Sequence, residues 1–413
     1  MANIVYAWEL GGGFGHTHAF LALARRLREA GHEVVFILRD LLHAERELNS
    51  QGFRTLQAPL WQAKLLGLPD PTTSLSEILL HYGFFAEEHL SALVRAWLEL
   101  YHWAKADLVV GDYAPTAMLA ARIAGLTAAT FGTGFCRPPA LEPLPNLRDW
   151  IPIHPERLRQ ADRRVLDTSN QVLSHLRSPQ IHTVTEIFAM HEDFLCTYAE
   201  LDHYPERSDG HYWGSLYNLV QGESVAWPER REYRIFCYLK PGFPRLQEFL
   251  DGLGKLGKHE VIMFCPGLAR HLVEKYSTAE IRIFTHPIKL GGLIKRCDLG
   301  ICLAGHGTIS AMLHAGIPLL LLPTNLEQYL TSRRIAQMGA GILIADHDGL
   351  LEYPEVIAHL LANPDYRQAA DNFSRKYRLC TQDLIHHRIF VRILELLGSA
   401  PPCRKPYAAE SSR

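Results

Sequence analysis

The densest chemistry in the sequence lies in Ala304-Gly305-His306-Gly307-Thr308, between a short apolar run (299–303) and a stretch of helical spacing (308–315). Two glycines let the chain turn sharply where a strand ends, and leave no Cβ between backbone and ligand. A helix starting near Thr308 aims its unpaired N–H groups and the positive end of its dipole at the same spot, an anion site suited to a diphosphate. Close packing of strand on helix uses the same turn, with His306 merely filling it. A second glycine-rich turn, Gly11 to Gly15, precedes His16. It lacks the third structural glycine of a dinucleotide fingerprint, and His18 stands at the helix start. Neither an Asp-x-Asp pair nor a histidine cluster at ligand spacing accompanies the 305–308 turn, so no metal is expected.

The elements around these turns alternate. Residues 4–10 read as a strand, 19–30 as an amphipathic helix stopped by Gly31, and 33–38 as a second strand, which makes one βαβ unit. Strand 108–110, helix 116–124 and strand 128–131 continue it. Over 136–212 the pattern weakens, with prolines at 138, 139, 143 and 145, and reads as loops and helices over the sheet edge. A polar stretch with Trp227-Pro228 at 218–232 reads as a linker. A second series follows: strands at 234–239, 260–264, 281–284, 299–303, 319–322 and 341–345, and helices at 245–256, 308–315 and 328–338. Residues 365–397 are largely helical. The expectation is α/β: two Rossmann-like domains, at 1–217 and 233–380, with a cleft between them as the active site.

Motif by motif, the second half resembles the donor-binding block of GT-B glycosyltransferases of the UDP-glycosyltransferase family, bacterial macrolide-type enzymes included. Gly305, Gly307, Thr308, Gly316, Pro318, Pro323 and the pair Glu327-Gln328 carry the match. The resemblance implies that Glu327 and Gln328 hydrogen-bond donor sugar hydroxyls while Gly305, Gly307 and Thr308 hold the diphosphate. Three positions depart: the family's leading His falls on Leu303, its ribose-binding Glu on Ala311, and its first Gly on Ala304. His306, beside the same turn, can stand in for the lost imidazole. Pro287 and Ile288 fall where the family has a loop cradling the nucleobase, and also read as a plain strand-ending turn. The segment from Gly15-His16 to Gly31-His32-x-Val34 resembles the opening of the same family, with Gly15 on the donor side. The resemblance makes His16 the catalytic base, with Asp112 as the acid behind it. An acceptor hydroxyl is too weakly acidic to attack an anomeric carbon unaided, and a neutral imidazole can take its proton as the bond forms. Asp112 also reads as an N-cap for the helix beginning near Pro115. His18 and His32 read as solvent-facing or helix-closing. The resemblance also implies a C-terminal helix (381–413) that crosses back to the N-terminal domain.

Composition narrows the partners. The 413 residues carry 42 Lys and Arg against 44 Asp and Glu, which offers no electrostatic footprint for nucleic acid. Apolar runs such as 317–323 are far below the ~20 residues of a membrane span. With no basic n-region before Glu9, and eight cysteines without a CxxC, the expectation is a cytoplasmic protein with reduced thiols. The expected activity is inverting transfer of a sugar from a UDP- or dTDP-linked donor to a hydroxyl of a small-molecule or lipid acceptor, with the nucleotide-sugar as co-substrate and no cofactor. Loops 60–85 and 136–178 should shape the acceptor pocket, and Trp61, Tyr82, Phe84, Phe85 and Phe135 suit an apolar or aromatic acceptor. An epimerase or hydrolase on the same fold, and a non-catalytic nucleotide-sugar-binding helper, are the rival readings.

Overall fold

The computed structural model describes residues 1–12, 15–42, 44–218, 222–228, 232–257, 259–345 and 352–398. Gly13 and Phe14 of the first turn, parts of 218–232 and the tail beyond 398 lie outside the described residues. The chain divides into two compact units. Unit 1 comprises Met1–Thr197, Tyr204–Gly214 and Asp383–Arg413; unit 2 comprises Tyr198–His203 and Ser215–Gln382.

Unit 1 is built on β1 (Asn3–Trp8), β2 (Glu33–Leu38), β3 (Arg54–Gln57), β4 (Leu108–Asp112), β5 (Thr127–Gly132) and β6 (Glu192–Leu195). Their order is β3-β2-β1-β4-β5-β6, every neighbouring pair parallel. Ile4, Val5, Tyr6 and Ala7 are all fully buried, because helices cover both faces of a parallel sheet. Two strands fall outside the sequence reading. β3 is only four residues long, and β6 lies inside the proline-broken stretch.

Unit 2 repeats the arrangement. It holds β7 (Arg234–Tyr238), β8 (Glu260–Phe264), β9 (Ile281–Phe284), β10 (Leu299–Cys302), β11 (Leu319–Leu321) and β12 (Gly341–Leu343), ordered β12-β11-β10-β7-β8-β9 and parallel throughout. Alternate residues of β7 feed its two faces: Ile235 and Cys237 join one apolar cluster, Phe236 the other. The polar stretch read as a linker is tied into this unit. Glu223 pairs with Ile288, and the buried Trp227 donates its indole N–H to Leu293 O at 2.9 Å.

In each sheet the order reverses beside the first strand, between β1 and β4 and between β7 and β10. Ligands of doubly wound sheets bind outside the carboxyl ends of the strands at that point. The helix Gln382–Gly398 begins in unit 2, where Gln382 bonds Ser215 O and Tyr217 N, and then belongs to unit 1. There Arg392 Nε lies 2.6 Å from Glu192 Oε2, and Arg388 covers the Trp213 ring. Among the described residues no helix is long and apolar enough to cross a membrane. The seven described cysteines are free, and five of them are buried.

Candidate functional site

At the reversal point of unit 1, the register sets Trp8 beside Asp112, each the last residue of its strand. The helix Gly15–Glu29 follows β1, so His16 sits in its first turn, over the ends of these strands. His16 Nδ1 lies 3.0 Å from Asp112 Oδ2. With the carboxylate as acceptor, Nδ1 carries the proton and Nε2 becomes the basic nitrogen. The imidazole also stacks on the Trp8 indole, centroids 5.0 Å apart at 20°. Gly11 passes beneath it at φ +80°, and a Cβ there would stand 2.9 Å from His16 Nε2. A glycine is needed on both counts. Tyr6, fully buried, places its hydroxyl 2.7 Å from Asp112 Oδ2 and 2.7 Å from the carbonyl of His16. Burial, then the neighbouring Asp112, hold its phenol well above the usual range.

Asp112 is not the cap of the next helix. The helix Pro115–Ile123 has Ala114 at its N-cap with no side-chain bond of its own. Its first N–H groups go instead to Glu9, whose carboxylate accepts from Thr116 N (3.0 Å), Ala117 N (2.6 Å) and Thr116 Oγ1 (2.5 Å). Glu9 was legible only as an interruption of an apolar strand. Its partners lie more than 100 residues away in sequence, so no local signal announces the cap. His18 pairs with Glu47 at 3.2 Å. Gly15, at the helix start, is exposed with open space on its Cβ side. Of the aromatics expected around an acceptor, Phe84 and Phe135 are buried in the core, whereas Trp61 and Tyr82 line a small cleft with Glu9, Leu10 and Arg39.

At the reversal point of unit 2, β10 runs into Leu303 and Ala304, and Gly305 caps the helix His306–His314. That helix starts two residues earlier than the sequence suggests, so His306, Gly307 and Thr308 form its first turn. Ala304 holds φ +58°, the left-handed conformation a glycine would take more cheaply and the place of the resembled family's first glycine. The two site glycines differ. A Cβ on Gly305 would meet nothing within 4 Å, whereas one on Gly307 would meet Tyr217 Cβ at 3.4 Å and Leu216 O at 3.5 Å. Gly305 therefore faces open space, and a side chain on Gly307 would meet Leu216 and Tyr217 at ordinary contact distance. Both ring nitrogens of His306 are buried without a partner among the described residues. Burial, with His203 beside it, pushes its pKa down to about 3, so the ring is neutral. Leu303 and Ala311 are core residues of the unit's two clusters, so neither offers a side chain to a ligand.

Glu327 and Gln328 lie in the first turn of the helix Leu326–Gln337, capped by Asn325. Gln328 Oε1 accepts from Thr324 N (2.9 Å) and Thr324 Oγ1 (3.0 Å), closing the same turn from the other side. Glu327 Oε1 stands 4.0 Å from Nε2 of the buried His203, which also bonds Thr331 Oγ1 at 3.0 Å. His203 reaches unit 2 from the detour Tyr198–His203, and no periodicity in the sequence marks it. Pro287 O receives Glu223 N at 2.9 Å, and the Ile288 side chain is buried in the core, so this turn is held by Glu223 through main-chain bonds.

Residues 247–378 match the family of erythromycin biosynthesis protein CIII-like C-terminal domains, and residues 14–183 match the glycosyl transferase 4-like domain. No curated protein matches the sequence significantly. Among solved structures, the spinosyn rhamnosyltransferase SpnG, complexed with spinosyn aglycone, superposes with a TM-score of 0.68 at 17% identity, covering 96% of this chain and 100% of that one. The calicheamicin glycosyltransferase CalG4 does so at 0.71 and 16%, covering 97% and 99%. The glycosyltransferase VinC, in complex with dTDP, gives 0.65 and 14%, covering 96% and 99%. The chain has the two-domain GT-B fold of these glycosyltransferases. More particularly, its second half matches the erythromycin CIII-like C-terminal domain and its first half the glycosyl transferase 4-like domain.

Proposed function

We propose that the protein transfers a sugar, with inversion, from a UDP- or dTDP-linked donor to a hydroxyl of a small-molecule or lipid acceptor. The observation that carries this reading is the 3.0 Å contact of His16 Nδ1 with Asp112 at the reversal point of the first sheet. The complexes of VinC with dTDP and SpnG with spinosyn aglycone support a dTDP-linked donor and an apolar aglycone. Nε2 of His16 takes the acceptor proton while the acceptor oxygen bonds to the anomeric carbon. The anomeric carbon–oxygen bond to the diphosphate breaks in the same step. Asp112 stabilises the imidazolium that results. The helix start at Gly305, with Gly307 and Thr308 in its first turn, takes up the charge on the departing diphosphate. Glu327 and Gln328 hold the sugar, Pro287 and Ile288 flank the base by backbone rather than side chain, and Gly15 leaves room on the donor side. No cofactor takes part.

The decisive experiment is turnover of dTDP- and UDP-sugars by His16→Ala. Loss of a general base lowers turnover about 10²–10⁴-fold. Nucleotide affinity, measured by calorimetry, stays unchanged, because the proposed nucleotide contacts lie in unit 2. Asp112→Asn costs less than His16→Ala. A His16→Ala protein that turns over at the wild-type rate removes His16 from the mechanism.

A further inference from the structure

Asp112 Oδ2 is approached by two donors: Nδ1 of His16 at 3.0 Å and the Tyr6 hydroxyl at 2.7 Å. The other carboxylate oxygen faces Gly132, where a Cβ would stand only 3.0 Å from Oδ1. Tyr6 has one phenolic proton for two acceptors, Oδ2 and the His16 carbonyl, so it ties the carboxylate and the first turn of the helix to one point. Its ring is fixed by stacking on Phe20, centroids 4.6 Å apart at 17°, and by edge contact with Phe131. So large a buried side chain is not needed in a strand merely to fill space with a hydroxyl, and a buried hydroxyl is kept where it has a partner.

We propose that Tyr6 is a positioning residue for the base: it holds Asp112 Oδ2 and draws off part of that oxygen's charge, so tempering the pull of the carboxylate on the His16 imidazole. The inference rests on the reading of His16 as the base. Other titratable groups face the same oxygen region. Cys196 follows β6 and Cys136 the loop after β5, and both act on Tyr6. Burial keeps the Cys196 thiol protonated. Asp193 of β6 lies beyond Cys196, with the Arg137 guanidinium 3.4 Å away. Glu9, on the β1 side, is turned toward Thr116 and Ala117. His18, on the helix of His16, pairs with Glu47. None of these donates to Oδ2 among the described residues, so Tyr6 is the group that competes with the imidazole.

The test reads His16 directly, in the full chain labelled with ¹³Cε1-histidine, its resonance assigned by loss in His16→Gln. In Tyr6→Phe, Oδ2 keeps a single donor and favours the imidazolium more strongly. The His16 ionisation should therefore rise by about half a pH unit, the scale of one hydrogen bond. Asp112→Asn should lower it. An ionisation that stays put in Tyr6→Phe, or falls, overturns the proposal, including when only thermal stability drops. If Tyr6→Phe does not fold, uniform replacement of tyrosine by 3-fluorotyrosine strengthens the phenol as a donor and should move the ionisation down; no movement there overturns the proposal equally. The titration reports on Tyr6 whether or not His16 is the base, which the turnover of His16→Ala decides separately.

Discussion

Glu9 and Asp112 are two carboxylates of the same half with different surroundings. Asp112 faces an imidazole and a phenol, while Glu9, 2% exposed, faces the first N–H groups of a helix. Burial outweighs those hydrogen bonds and pushes Glu9 up from 4.5 to about 7. Between these values the folded state holds a proton that the unfolded state has released, so stability contributed by Glu9 is present below pH 4.5 and is lost as pH rises to 7. Two and a half pH units correspond to about 3 kcal/mol. The stability of the wild type relative to Glu9→Gln, from urea denaturation at pH 5 and pH 8, should therefore shrink at the higher pH by an amount of that order. A difference independent of pH would show Glu9 charged throughout. At this scale His16 and Asp112 were legible because the resemblance fixed both ends of the pair. Tyr6 and Trp8, which orient it, were not. In sequence they are apolar strand residues, and only the fold sets the Tyr6 hydroxyl against Asp112 and the Trp8 ring against His16.

The turns that carry the site were legible as turns, and their boundaries were not. A glycine at the cap position let the helix His306–His314 start before the apolar spacing begins, and the helix of the first half likewise starts early, at Gly15 itself. The two glycines of the second turn looked equivalent in sequence, but only the three-dimensional neighbours separate them. Gly305 faces open space, and Gly307 faces Leu216 and Tyr217. Gly305→Val should accordingly weaken dTDP or UDP binding at least ~10-fold, about 1.4 kcal/mol, without loss of fold. Calorimetric titration of a variant with wild-type melting behaviour checks it, and unchanged affinity would take the diphosphate away from this turn. Gly307→Val mixes a binding effect with a packing one and is the poorer probe. His203 was out of reach of any local pattern. It stands against Glu327 only because six residues, 198–203, leave one unit for the other.

Both sheets of the molecule share one strand order, and the α/β alternation made that architecture readable; the two edge strands of the first sheet, β3 and β6, were hidden by their length of four residues each. The final helix binds unit 1 through Ile385, Ile389, Ile393 and Leu396, all buried. Removing residues 383–413 exposes their partners. At ~1.5–3 kcal/mol for each buried aliphatic side chain, the loss is on the order of 5 kcal/mol or more. Six of the seven tryptophans lie in unit 1, Trp227 alone in unit 2, so the fluorescence-detected urea midpoint reports this loss almost selectively. A midpoint equal to that of the full chain would mean the helix contributes nothing to unit 1. The same threading governs recombination between related enzymes. A hybrid joined once, near residue 214, would mate one parent's first half with the other parent's closing helix, and the other parent's second unit with a foreign detour at 198–203. A faithful exchange of unit 1 must carry its three pieces, with seams at 197/198, 203/204, 214/215 and 382/383. Parents should therefore be matched at the helix and the detour before they are matched at the linker.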